Sequence, residues 1–312
     1  MIDSLGLNIY FCKMNIAIPE KIKIHLALTT VAFIYGLNYM VAKDVMVKEY
    51  LTPFGFIMLR VLAGFIILSI VHAIFIKEKL DKKDLLYTLM CAVFGGAVNM
   101  LAFFEGLKNT SPIHASLIMV LTPCIVLLIS ATIIKEKVTK GKLLGLVLGL
   151  LGAGLLVSNS GSASDKVATV YGDMLIMINA VSYGFYLVLV QRLYVKYSPI
   201  TVLKWIFFFG IFLIMPFGGQ DALNAEYSSF PNGIWFSILY VLVLVTAGAY
   251  LLNAYALSKV TPSTVGFYVY FQPLIAAGAA ILVGDDTLDI VKISSAILLF
   301  LGVYFVNKQV KK

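Results

Sequence analysis

The chain has 312 residues, of which 61% are hydrophobic and 13% charged, with a formal net charge of +8. Soluble domains devote about a quarter of their residues to charge, so this composition, with a mean hydropathy of +0.96, excludes an ordinary soluble globular domain and describes a chain dissolved in lipid. A spanning helix takes roughly 20 residues, so this length accommodates about ten spans and little else.

Met1 to Glu20 lacks the basic start, apolar run and small-residue cleavage site of a removable signal peptide; the first span is expected to serve as the signal. Apolar runs of spanning length then fall at about Ile24–Ala42, Phe54–Ile76, Leu85–Leu107, Ile113–Ile134 and Leu143–Ser158, and again at Gly172–Arg192, Ile200–Phe217, Gly233–Leu257, Thr264–Val283 and Val291–Asn307. Cations alternate between the loops. Lys13, Lys21 and Lys23 precede the first run, Lys77, Lys79, Lys82 and Lys83 follow the second, and Lys135, Lys137, Lys140 and Lys142 follow the fourth. Arg192 and Lys196 follow the sixth, Lys259 the eighth, and Lys308, Lys311 and Lys312 the tenth. The opposite loops hold fewer cations, often beside acids such as Asp221, Glu226 and Asp289. Cationic loops stay in the cytoplasm, so both termini are expected there, which demands an even number of spans.

The chain also repeats itself. Thr110-Ser111-Pro112, Pro123 and Glu136 recur as Val260-Thr261-Pro262, Pro273 and Asp286, with spacings of 11 and 13 residues between the later members in both copies. Tyr35-Gly36 matches Tyr183-Gly184, and Thr52-Pro53 matches Ser198-Pro199. Five spans per copy make the second copy enter the bilayer from the opposite side, and the loop charges reverse accordingly: the lysines at 135, 137, 140 and 142 correspond to Asp285, Thr287, Ile290 and Lys292. The expected fold is an all-α integral membrane protein of ten transmembrane helices arranged as two inverted five-helix repeats. Residues 1–23 form a cytoplasmic segment, 24–158 the first repeat, 159–171 a periplasmic linker, 172–307 the second repeat and 308–312 a cytoplasmic tail. Inverted repeats are the architecture of secondary transporters, whose substrate lies near the midplane between the halves.

The series Tyr35-Gly36-Leu37-Asn38 with Lys43, then Arg60, Phe104-Glu105-Gly106-Leu107-Lys108, Thr110-Ser111-Pro112, Pro123 and Lys135-Glu136-Lys137 before a glycine-rich fifth span resembles the EamA-type members of the drug/metabolite transporter superfamily. With the second copy the resemblance covers residues 24 to 307. It implies ten helices, a central cavity, and export or exchange of amino acids, related metabolites or xenobiotics in the cell inner membrane. Glu105 departs from the family pattern, which usually has an uncharged residue there.

Ionisable groups at membrane depth cost roughly 2.5 to 3.5 kcal/mol each on insertion scales and mark cavities or partners. Arg60, Glu105 and His114 are the candidates for gating or coupling, expected as one cluster in the outer half of the bilayer, with Arg60 and Glu105 forming an ion pair. Asn38, Asn99, Asn179 and Gln272 lie within spans and must find partners that lipid cannot supply; they are candidate cavity residues, or links between helices. Tyr183, Tyr186, Tyr250 and Tyr268 supply aromatic walls suited to amphiphilic solutes. Pro123 and Pro273 each free the carbonyl four residues earlier, at Met119 and Val269, and are candidate hinges. Gly141, Gly145 and Gly149 form a small-residue stripe for close helix contact, within one chain or in a homodimer.

Several functions are disfavoured. No GxxxxGK[ST] loop is present, no HExxH or Ser/His/Asp set marks a membrane-embedded enzyme, and His25, His72 and His114 lack metal-spacing acids. Neither cofactor nor metal is expected. The odd trio Cys12, Cys91 and Cys124 reads as small core residues, and the loop lysines serve orientation, with no nucleic-acid partner implied. The expected partners are the bilayer and a small-molecule substrate, for a monomer or homodimer. An exporter of amino acids or related metabolites is the leading reading, with uptake or exchange by the same fold as its alternative. The charge pattern makes a direct demand: a reporter fused after Lys312 should be active in the cytoplasm, and periplasmic activity would break the ten-span topology.

Overall fold

The computed structural model describes residues 19–47, 50–110, 115, 118–158, 169–283 and 288–307. Among these residues the chain is helical throughout, without strands. In chain order the helices are α1 (Glu20–Val47), α2 (Pro53–Ile76), α3 (Lys82–Asn109), α4 (Ile118–Ile133), α5 (Lys140–Ser158), α6 (Val170–Lys196), α7 (Pro199–Asn224) and α8 (Asn232–Leu257). α9 begins as Pro262–Phe267, tightens to a 3-10 turn at Tyr268–Tyr270 and resumes as Phe271–Val283, and α10 is Ile290–Asn307. Of these, α2, α3, α5, α6, α7 and α8 are long and apolar enough to cross a membrane.

Local chemistry sets the helix starts. Thr52 and Thr169 cap α2 and α6 by accepting from the Gly55 and Gly172 backbone N–H groups, at 3.0 and 3.1 Å. Pro53, Pro199 and Pro262 occupy first-turn positions, where the missing N–H costs nothing. Pro123 and Pro273 act differently. In α4, Leu121 bonds back only to Ile118, at 3.0 Å, and the regular helix restarts at Thr122; in α9 the 3-10 turn immediately precedes the segment containing Pro273. Each proline therefore breaks its helix just upstream of itself, as loss of a ladder donor and the clash of its ring require, and the regular stretches of α4 and α9 are correspondingly short.

The packing has an internal symmetry. When α1 is exchanged for α6, α2 for α7, and so on to α5 for α10, the principal contacts among the described residues map onto one another. α1 packs on α8 and α9 as α6 packs on α3 and α4, α2 on α8 as α7 on α3, and α2·α7, α4·α9 and α5·α10 are self-matched pairs. The three most extensive pairs join the halves directly, α2 to α7, α3 to α6 and α5 to α10. Between α2 and α7 lies the main core, with Ile57, Val61 and Leu68 packed among Leu203, Ile206, Phe207 and Ile214. π-helical turns also recur in equivalent places, at Val93–Val98 in α3 and within Tyr240–Gly248 in α8. Such wide turns are frequent at functional sites because they redirect side chains and loosen the backbone ladder.

The glycine stripe of α5 is used inside the chain. A Cβ on Gly145 would sit 2.5 Å from the Gly302 carbonyl of α10, one on Gly302 would sit 2.9 Å from the Gly145 carbonyl, and one on Gly141 would meet the Phe305 carbonyl at 2.8 Å. The two backbones touch, and no side chain fits between them. Gly145→Ala should therefore lower the thermal midpoint of the purified protein in detergent by an overpacking cost of about 1–3 kcal/mol. Gly154→Ala in the same helix, where an added Cβ meets nothing within 4 Å, should leave the midpoint unchanged; equal effects would remove the close contact.

Candidate functional site

Arg60 and a group of tyrosines gather between the halves. Arg60, in the third turn of α2, is only 8% exposed, and its Nε donates to Thr246 Oγ1 in α8 at 3.2 Å. Thr246 sits in the π-helical stretch of α8 and donates in turn to the Val241 carbonyl at 2.8 Å, five residues back, an acceptor made reachable by the wide turn. Tyr35 of α1 and Tyr250 of α8 lie close to Arg60, and Tyr35 lies beside the Asn253 side chain. Tyr183 and Tyr186 of α6 adjoin the same group, with ring centres 6.4 Å apart. Tyr186 lies directly on Gly95 in the π-helical part of α3, where any Cβ would strike its ring at 2.2 Å, and its hydroxyl faces that of Tyr194 at 3.4 Å. Five helices, α1, α2, α3, α6 and α8, thus converge on one polar, aromatic centre.

The expected ion pair between Arg60 and Glu105 is not formed. Glu105 Oε1 accepts from Asn109 Nδ2 at 2.9 Å, and the side chain borders a groove of about 340 Å³ otherwise lined by Phe54, Val98, Leu101, Ala102, Leu175, Ile178 and Phe217. Asn99 and Asn179 face each other across α3 and α6: each amide Nδ2 donates to the other's backbone carbonyl, at 3.2 and 2.7 Å. Their amide N–H donors clip the two helices together, which is the linking role open to a polar residue in a span. Tyr268 belongs to the contact of α1 with α9, where its hydroxyl meets His25 Nδ1 at 2.6 Å. Gln272 lies at the same contact, its backbone carbonyl against Gly36. Asn38 follows Tyr35 by one turn, with its Oδ1 buried. His114 lies outside the described residues.

Sequence reasoning passed over three participants. Tyr35 appeared only in the repeat and in the series that carries the family resemblance, Thr246 carried no signal without the π-turn, and Asn253 was detectable by the same rule that selected Asn38. It also missed the polar clasps at the helix ends. Lys196 at the end of α6 bonds Asp81 and Asp84 beside α3, at 2.5 and 2.7 Å, and Tyr197 Oη donates to Asp84 at 2.7 Å. Glu136, in the turn between α4 and α5 and with its side chain 3% exposed, takes hydrogen bonds from Lys142, from Ser130 and from Ser263 at the start of α9. Elsewhere Thr110 donates to Asp173, and Thr52 to Asp221 at 2.6 Å. Every clasp except the Glu136–Lys142 and Glu136–Ser130 bonds ties one half to the other.

The sequence profile of the EamA-like transporter family matches this chain twice, over residues 22–158 and 170–308. A protein of Archaeoglobus fulgidus named an uncharacterized transporter is 27% identical over 296 residues, spanning 92% of this chain and 98% of its own. Uncharacterized transporter YyaM of Bacillus subtilis is 24% identical over 73% of this chain and 74% of its own, and Protein WALLS ARE THIN 1 of Arabidopsis thaliana is 24% identical over 93% and 83%. One solved crystal structure superposes with a TM-score of 0.74 at 16% identity, covering 91% of this chain and 96% of that one; at that identity the likeness concerns the fold.

The Glu136 clasp is open to a pH test. Burial pushes its carboxyl up, but the hydrogen bonds from Lys142, Ser130, Ser263 and Thr261 outweigh that and hold it below its ordinary value of 4.5. A depressed folded value stabilises the protein above the unfolded one, and that contribution disappears as pH falls through the folded value. Glu136→Gln should accordingly cost about 3 kcal/mol at neutral pH, read as a lower thermal midpoint. The gap to the parent should narrow only below pH 4.5; a gap independent of pH would show that the charge contributes nothing.

Proposed function

The chain belongs to the EamA-like transporter family, within the drug/metabolite transporter superfamily, and we propose that it moves amino acids or related small metabolites by alternating access between its two halves. It is a multi-pass membrane transporter and not an enzyme, as are the relatives it resembles. In the proposal α1 to α10 all cross the bilayer, residues 24–158 and 172–307 form the inverted repeats, both termini face the cytoplasm of a cell inner membrane, and net movement is outward.

One observation carries this reading: the packing is symmetric under exchange of the halves, and the buried cation and its phenols lie where the halves meet. A symmetric scaffold has two equivalent ways of tilting one half against the other, opening toward one side or the opposite one, while the centre stays in place. The broken helices α4 and α9 touch each other and supply the bending points. Energy comes from solute or ion gradients, since the sequence lacks a phosphate-binding loop of the GxxxxGK[ST] type.

Purified protein in proteoliposomes loaded with unlabelled amino acids should accumulate the labelled counterpart by exchange, with and without an imposed pH gradient. Absence of exchange across the amino acid panel, together with chemical change of an added lipid or solute, would overturn the proposal.

A further inference from the structure

The centre of the molecule holds a charge that the protein itself does not neutralise. Arg60 is buried, yet among the described residues no carboxylate lies within ion-pairing distance, and its one hydrogen bond runs from Nε to the neutral hydroxyl of Thr246. Both Nη groups are left without an acceptor among those residues. Glu136 shows what this chain does with a buried charge that is purely structural: it receives a cation and two hydroxyl donors. Arg60 is also enclosed by protein and not at a free lipid-facing surface along which its stem could extend, being two turns inside α2 and 8% exposed. No aromatic face among the described residues stacks on it, in contrast to Arg192, which lies 5.0 Å over the Tyr87 ring.

Building on the transporter reading, we infer that Arg60 receives the negative charge of the solute, and that the transported class is small monocarboxylates, held by the Arg60 guanidinium beside the Tyr35 and Tyr250 hydroxyls. The planar fork of a guanidinium matches a carboxylate through two parallel N–H···O bonds. The phenols on either side offer O–H donors to the same oxygens. A single cation suits a monoanion; a phosphate group would call for several. Asn38 adds a second recognition point. It lies one turn past Tyr35 on α1, and its buried Oδ1 has no donor among the described residues, so it is placed to accept from an ammonium or amide group elsewhere on the solute. The Tyr183, Tyr186, Phe207 and Tyr250 rings gathered nearby suit an apolar or aromatic body.

The test compares molecules that share a phenylethyl body and differ in whether they carry a carboxylate. Phenylalanine, 3-phenylpropanoate, phenylalaninamide and phenethylamine should be offered to the parent protein in two assays, counterflow in proteoliposomes and thermal stabilisation in detergent. The two carboxylates should exchange and raise the midpoint, and the amide and amine should do neither. Arg60→Gln should weaken the carboxylates by about tenfold or more while leaving the response to the amide and amine where it was, and Arg60→Lys should recover part of the loss. If the amide and amine match the carboxylates on the parent protein, the inference fails though transport stands, a result that needs no variant to fold. If none of the four binds in detergent, the inference also fails, whereas transport of some other, uncharged solute would leave the transporter reading intact.

Discussion

A bilayer gives a charge no solvent, and the arrangement of this protein follows from how few charges it keeps inside and how each is accommodated. Most lysines are placed beyond the ends of the apolar runs. Glu136 is retained but enclosed by a cation and hydroxyls. Arg60 is retained with one neutral hydroxyl partner and a ring of phenols. Backbone groups obey the same demand, because nothing in lipid can replace a lost helical hydrogen bond. The departures from regular helix among the described residues are accordingly few: π-turns in α3, in α8 and at the end of α2, and breaks at Pro123 and Pro273, and the α8 π-turn and the α9 break face other helices of the bundle.

Symmetry and chemistry are separable here. The principal helix contacts match between the copies, but the position in α7 equivalent to Arg60 is Ile206, and the mutual Asn99–Asn179 clip of α3 and α6 has no amide equivalent where α8 meets α1. Duplication accounts for a frame that can tilt in two directions. Substitution within one copy gives the centre its polarity and leaves the frame unchanged, and under the proposed alternating access a single cation between the halves would serve both tilted forms.

The sequence made the frame legible because its signals are long and redundant. Apolar runs and recurring proline spacings constrain the same arrangement, and the prolines even marked where α4 and α9 would break. The centre was harder to read. Arg60 was visible as a charge at depth, but its partner depends on Thr246 being turned inward by a π-turn that no local pattern announces. Asn99 and Asn179 could be read either as solute contacts or as links between helices, since a span amide gives the same signal whether it meets a ligand or another helix. Glu105 fell to the same ambiguity: depth in the sequence indicates a polar requirement and not which neighbour meets it, and Asn109, one turn away, was sufficient.

The glycine contact of α5 with α10 bears on how the molecule is made. Helices enter the membrane in chain order, so α5 is inserted with its bare backbone face uncovered, and the surface it needs exists only when the last helix arrives. Completion of the bundle is therefore a late, long-range event that no earlier segment can perform. A chain cut short within α10 would leave that face open to the lipid or to another copy, and the quality-control machinery of the cell would meet an assembly that is inserted, correctly threaded and still unclosed.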